Sequence, residues 1–169
     1  SVAGGAEADR ITTTSGTNII NAGDGTDTIN LNGGITTVNA QGGVDSITAT
    51  LGTNVIDAGD DADVITLSGG FNTVQGNSGT DSFTVSGGTN VIDGGADNDT
   101  ITLNDGTNTV QGGAGADSIT ATGGNNTIDS GAGLNVITLN GGTNSVAGGA
   151  EADRITTTSG TNIINAGDG

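Results

Sequence analysis

Cysteine, proline, methionine, tryptophan, tyrosine, histidine and lysine are all missing from this 169-residue chain. Without cysteine there can be no disulfide staple and no thiolate ligand. Without histidine, cysteine or lysine, the side chains that most often act as nucleophile or general base are absent, so the chain is read as not an enzyme. Aromatic residues are limited to Phe71 and Phe83, so no core can be built on large rings. Positive charge is confined to Arg10 and Arg154, and the formal net charge is -17. Such a chain cannot neutralise a phosphate backbone, and an anionic membrane surface repels it; nucleic acid is excluded as a partner. No apolar run has membrane length and no secretory leader begins at Ser1, so no membrane insertion is expected. A cation is the natural partner for the charge that remains.

A chain with few bulky apolar groups and high net charge is ordinarily disordered, because too little surface is buried to offset chain entropy. The period of this one argues otherwise. Stepping by 18 residues from Asp9 gives Asp27, Asp45, Asp63, Asp81, Asp99, Asp117, Asn135 and Asp153. Two residues beyond each stands Ile11, Ile29, Ile47, Ile65, Phe83, Ile101, Ile119, Ile137 or Ile155. The second half of each unit is equally regular. Gly recurs from Gly16 to Gly160, followed two residues later by Asn18, Thr36, Asn54, Asn72, Asn90, Asn108, Asn126, Asn144 and Asn162. A β-branched residue comes next in register, from Ile20 and Val38 to Val146 and Ile164.

Within each half the pattern alternates: Asp117, Ile119 and Ala121 fall on one side, Ser118 and Thr120 on the other. Period two with β-branched residues predicts strands, and the glycine clusters between them predict turns. Two short strands and two tight turns per 18 residues form one coil of an all-β parallel β-solenoid of about nine coils with uncapped ends. Coils stacked about 4.8 Å apart make a rod roughly 45 Å long. The Ile119-type and Ile128-type rows face each other across a thin core. A third inward row alternates in size: Thr13, Leu31, Ala49, Leu67, Val85, Leu103, Ala121, Leu139 and Thr157.

The segment "GGAGADSIT" (112–120) fits the nonapeptide GGxGxDxUx, and "AGDGTDTIN" (22–30), "AGDDADVIT" (58–66), "GNSGTDSFT" (76–84) and "GGADNDTIT" (94–102) are full or near matches. The chain therefore resembles the RTX (repeats-in-toxin) calcium-binding β-roll over essentially its whole length. The resemblance implies Ca²⁺ held between adjacent coils by aspartates and turn carbonyls. The ligands so implied are Asp9, Asp27, Asp45, Asp63, Asp81, Asp99, Asp117 and Asp153. Physical chemistry agrees with the choice of ion: calcium takes six to eight oxygens, carboxylates mixed with carbonyls.

The chain departs from the usual form of that family, in which both halves of a coil carry the aspartate motif. Here the second half reads "ATGGNNTID", with Asn126 in the place of Asp. Calcium is therefore expected along one edge only, with an asparagine ladder along the other. Asn135 weakens its own position in the acidic row, and Gln41 and Asn77 replace turn glycines.

The outward side of the first strand carries a double file of Thr, Ser and Asn, including Thr120 and Thr122. Exposed strands favour Thr in any case. A sharper alternative is an ice-binding β-solenoid module, since such files resemble those of insect antifreeze proteins. A third is a calcium-triggered folding module of a secreted enzyme or toxin.

Finally, "SVAGGAEADRITTTSGTNIINAGDG" (1–25) recurs identically at 145–169. Neighbouring coils differ freely, so the fold does not force this identity. It implies a longer repeat: residues 1–144 as one unit, and 145–169 as the start of the next within a single continuous solenoid. The expected role is structural: a calcium-stiffened segment of an extracellular filament, sheath fibre or adhesin stalk, in contact with further copies of the same repeat. Family resemblance also implies secretion, by a type I export system.

Overall fold

A computed structural model describes residues Ser1–Asp168. The chain forms an all-β parallel solenoid. After Val2–Gly5, four-residue strands alternate with longer ones: Arg10–Thr13, Thr17–Asp24, Thr28–Leu31, Ile35–Gly42, and so on to Arg154–Thr157 and Thr161–Asn165. The longer strands, with Val2–Gly5 at one end, make one ten-stranded parallel sheet, and the remaining four-residue strands make a nine-stranded parallel sheet. Each strand pairs with its counterpart 18 residues away. Ile65 lies beside Ile47, Phe83 beside Ile65, and Asn90 beside Asn72. Register cannot slip, because a one-residue shift would turn every inward side chain outward.

The second strand of most coils is longer than the sequence pattern predicts. Pairing continues into the glycine cluster, where Gly95 meets Gly113 and Ala96 meets Ala114. Glycine permits this because the backbone there turns left-handed, as at Gly113 (φ 109). Gln41, Asp61, Asn77 and Asp97 also hold φ between 73 and 79, three of them being the Asn and Asp types that tolerate this region best.

The core is one continuous column. Ile29, Ile47, Ile65, Ile101, Ile119 and Ile137 from the short sheet are fully buried, as are Ile20, Ile56, Ile92 and Ile128 from the long one. The row of alternating size is buried from Leu31 through Leu139, while Thr157 in the last coil is exposed. Phe83 fills the space of an isoleucine. Its ring lies 3.2 Å from where a Cβ on Gly76 would be, so a glycine in that row makes room for it. The outer face of the long sheet carries exposed apolar residues among the threonines, including Ile19, Ile35, Val55, Phe71 and Val91. No helix among the described residues is long and apolar enough to cross a membrane.

Candidate metal centre

The acidic row lies inside the turn that leads into each short strand. Alternation within the strand puts the aspartate on the same side as the isoleucine two residues later. Asp27, Asp45, Asp63, Asp81, Asp99 and Asp117 are each at most 1 % exposed, and Asn135 joins them. Asp9 and Asp153, near the ends, are half-buried.

The two carboxylate oxygens have different fates. One accepts a backbone N–H from the preceding coil. Asp27 N–H donates to Asp45 Oδ1 at 2.7 Å, Asp63 N–H to Asp81 Oδ1 at 2.7 Å, and Asp99 N–H to Asp117 Oδ1 at 2.8 Å. This satisfies the N–H ahead of each short strand from Asp9 to Asn135. The other oxygen has nothing. Oδ2 of Asp27, Asp45, Asp63, Asp81, Asp99, Asp117 and Asp153 is buried without a hydrogen-bond partner. A buried, unpaired carboxylate oxygen is costly, and each repeat of it compounds the cost.

Turn carbonyls converge on the same place. A Cβ added at Gly112 would lie 2.6 Å from Asp117 Oδ2 and 2.5 Å from the carbonyl oxygen of Ser130 in the next coil. Gly94 has the same relation to Asp99 Oδ2 and the Gly112 carbonyl, and Gly76 to Asp81 Oδ2 and the Gly94 carbonyl. Two acceptor oxygens from adjacent coils thus crowd a pocket with no donor between them. That donor set of carboxylate plus carbonyl is the one calcium prefers. Among the described residues no three carboxylates come together as a group. Any cation here would therefore draw most of its oxygens from the backbone.

Electrostatics report the same stress. Burial pushes the carboxyls of Asp63 and Asp99 up to about 7 and that of Asp45 up to about 6. The N–H from the previous coil pulls each back, and neighbouring aspartates push it further up. Asp81 and Asp117 are raised for the same first reason, loss of water.

The opposite edge is the expected ladder. Asn54 Nδ2 donates to Asn72 Oδ1, Asn72 to Asn90 and Asn90 to Asn108, each at 2.8 Å. The second hydrogen of each amide goes to a turn carbonyl three residues back, as from Asn90 to Gly87 at 3.0 Å. The ladder is thus neutral and self-satisfied. Its one weakness is Thr36, which has no amide to offer, and Asn54 Oδ1 is left buried and unpaired.

Two features escaped the sequence pattern. One is the division of labour between Oδ1 and Oδ2. The other is the inward row Gly4, Ala22, Ala40, Ala58, Gly76, Gly94, Gly112, Ser130 and Gly148, five residues before each acidic position. Its signal was legible in the coil alignment: only small residues occur there, and the sole hydroxyl, Ser130, shares a coil with the sole asparagine of the acidic row.

Neither a curated protein nor a solved structure matches this chain. A family model described as the RTX calcium-binding nonapeptide repeat (4 copies) matches residues 3–38, 39–74, 68–101, 75–109, 102–137 and 138–169. With the aspartate-edged parallel coils, that coverage makes the conclusion plain: the chain belongs to the RTX calcium-binding repeat family.

Proposed function

We propose that this chain is a structural segment of a long extracellular filament, sheath fibre or adhesin stalk, stiffened by calcium bound between coils along its aspartate edge. The observation that carries the reading is the file of buried Oδ2 atoms with no donor, which at Asp81, Asp99, Asp117 and Asp153 lie beside a carbonyl of the next coil. Bound Ca²⁺ supplies the positive charge and the multidentate oxygen coordination that this file lacks. Asp9, Asp27, Asp45, Asp63, Asp81, Asp99, Asp117 and Asp153 are the carboxylate ligands in this reading.

The protein's own part is to hold those oxygens at a fixed spacing. The core column and the asparagine ladder set the stacking of the coils, and the Oδ1 bond fixes each carboxylate in one orientation. Rows of like carboxylates along a rod, each in much the same setting as the next, support a mechanical role rather than catalysis. Proteins built on such repeats are typically secreted, and calcium sites of the extracellular class bind at about 10⁻⁴–10⁻³ M. The identical segments 1–25 and 145–169 support a tandem array of 144-residue units.

Calcium titration by calorimetry, with circular dichroism in EGTA and in excess calcium, tests the ion. Cryo-electron microscopy of the parent protein tests the filament. A chain that binds no calcium and keeps the same spectrum and melting point in EGTA would overturn the first; a globular parent particle would overturn the second.

A further inference from the structure

The coil that contains Asn135 differs from its neighbours in the two atoms that matter most. Asn135 keeps the structural half of the aspartate role. Its Oδ1 accepts Asp117 N–H at 2.8 Å, and its own N–H donates to Asp153 Oδ1 at 2.9 Å. Those partners fix the amide orientation, since only an oxygen can receive an N–H. The other atom is then Nδ2, in the place where the coils of Asp27 to Asp117 and of Asp153 have the unpaired Oδ2. It donates to the Gly133 carbonyl at 3.2 Å.

Ser130 makes the matching change on the other side of the turn. It is fully buried in a row otherwise restricted to Gly and Ala. Its hydroxyl donates to the Gly148 carbonyl of the next coil at 2.5 Å. Gly148 occupies the same register as Gly94 and Gly112, whose carbonyls lie beside Asp81-side and Asp99-side oxygens in other coils. Here Ser130 supplies a donor to a carbonyl whose counterparts at Gly94 and Gly112 lie beside a carboxylate oxygen.

We propose that the Ser130–Asn135 turn is a metal-excluding latch, a coil closed by its own hydrogen bonds that interrupts the calcium row between Asp117 and Asp153. The inference rests on the calcium reading of the aspartate row and deepens it. An N–H cannot ligate a cation, and Ser130 Oγ holds one of the carbonyls that a cation would need. The two substitutions act together. Asparagine alone would leave the Gly148 carbonyl open, and serine alone would leave a buried carboxylate. The latch keeps one turn of the rod formed when calcium is withdrawn, and register on both sides of it is preserved.

Equilibrium dialysis with calcium compares the wild-type chain with the double variant Ser130→Gly/Asn135→Asp. The expected result is at least one additional Ca²⁺ bound per chain by the double variant. An unchanged stoichiometry in a variant with wild-type circular dichroism overturns the latch. Amide hydrogen exchange of the wild type in EGTA reads the same idea without any substitution. The amides of 131–135 should exchange about tenfold more slowly than those of 113–117, as two added hydrogen bonds imply. Equal or faster exchange overturns it. If the wild type binds no calcium at all, the calcium function fails, while the exchange comparison still decides whether this turn holds itself closed.

Discussion

Asp99 Oδ1 accepts the backbone N–H of Asp81 from the preceding coil at 2.8 Å, while Asp99 Oδ2 is buried with no partner. One side chain thus serves both to lock two coils together and to hold an unmatched negative oxygen between them. The first role needs no metal; the second is where the proposed calcium would act.

Replacing Asp99 separates the roles directly. Asp99→Asn keeps the Oδ1 acceptor and turns the unpaired oxygen into a donor, as Asn135 does naturally. It is expected to melt at or above the wild-type temperature in EGTA and to gain less from added calcium. Asp99→Ala removes the acceptor as well and strands the buried Asp81 N–H. That loss costs about 1–3 kcal/mol with or without calcium. Chemical denaturation in both conditions checks the pair; identical behaviour of the two variants would refute the division of roles.

Calcium itself should raise the melting temperature in a graded way. A site with a dissociation constant of about 1 mM contributes about 1.4 kcal/mol at 10 mM free calcium. Several such sites make the shift large for a chain of this size. Magnesium at the same concentration should do much less, because it demands a small octahedral shell and sheds water reluctantly. Thermal melts followed by circular dichroism in each ion, at matched ionic strength, give the comparison.

The response to pH should change sign with calcium. Asp63 and Asp99 hold protons up to about pH 7 in the folded chain and Asp45 up to about 6, against an ordinary value of 3.8. Between those limits the folded state binds more protons than the unfolded one, so stability falls as pH rises. In EGTA the protein is expected to be more stable near pH 4 to 5 than at pH 8. Saturating calcium should compete with protons for the same oxygens and reverse the trend. Melts across pH 4 to 8 in both conditions check it; a metal-free chain that gains stability toward pH 8 would contradict the raised carboxyls.

The asparagine edge should be indifferent to calcium. Asn90→Ala removes the acceptor for Asn72 Nδ2 and the donors to Asn108 and Gly87. At roughly 1 kcal/mol per bond, with a further cost for buried groups left unpaired, a loss of about 2–4 kcal/mol is expected. Added calcium should not restore it. Thr36→Asn is the converse: it gives the unpaired Asn54 Oδ1 an approach to an amide donor, and a higher melting temperature in EGTA is expected.

Much of this molecule could be read from one row of letters. The 18-residue step from Asp9 to Asp153 named the stacked residues, and alternation around Ile119 named the inward side. Asn126 in the place of an aspartate marked the uncharged edge, and the Asn72–Asn90 bonds bear that reading out. The length of the second strand was not legible, because glycines that usually end a strand here carry the pairing onward. Ser130 has no contrast in the linear sequence of a serine- and threonine-rich chain; it stands out only when the coils are laid over one another and its row is seen to hold otherwise Gly and Ala.

The sequence by itself determined the coil length, the number of coils, which residues lie above one another and which face inward. A strict period and a two-residue alternation admit one winding, and any slip would expose the isoleucine column. Only the tertiary structure decided which atoms of the stacked residues meet. Oδ1 bonding to the coil before, Oδ2 left facing carbonyls, and the Asn135 and Ser130 donors closing their own turn all depend on distances between coils. Those distances exist only once the coils are stacked, because atoms 18 residues apart along the chain have no fixed separation until the backbone has turned once around the core.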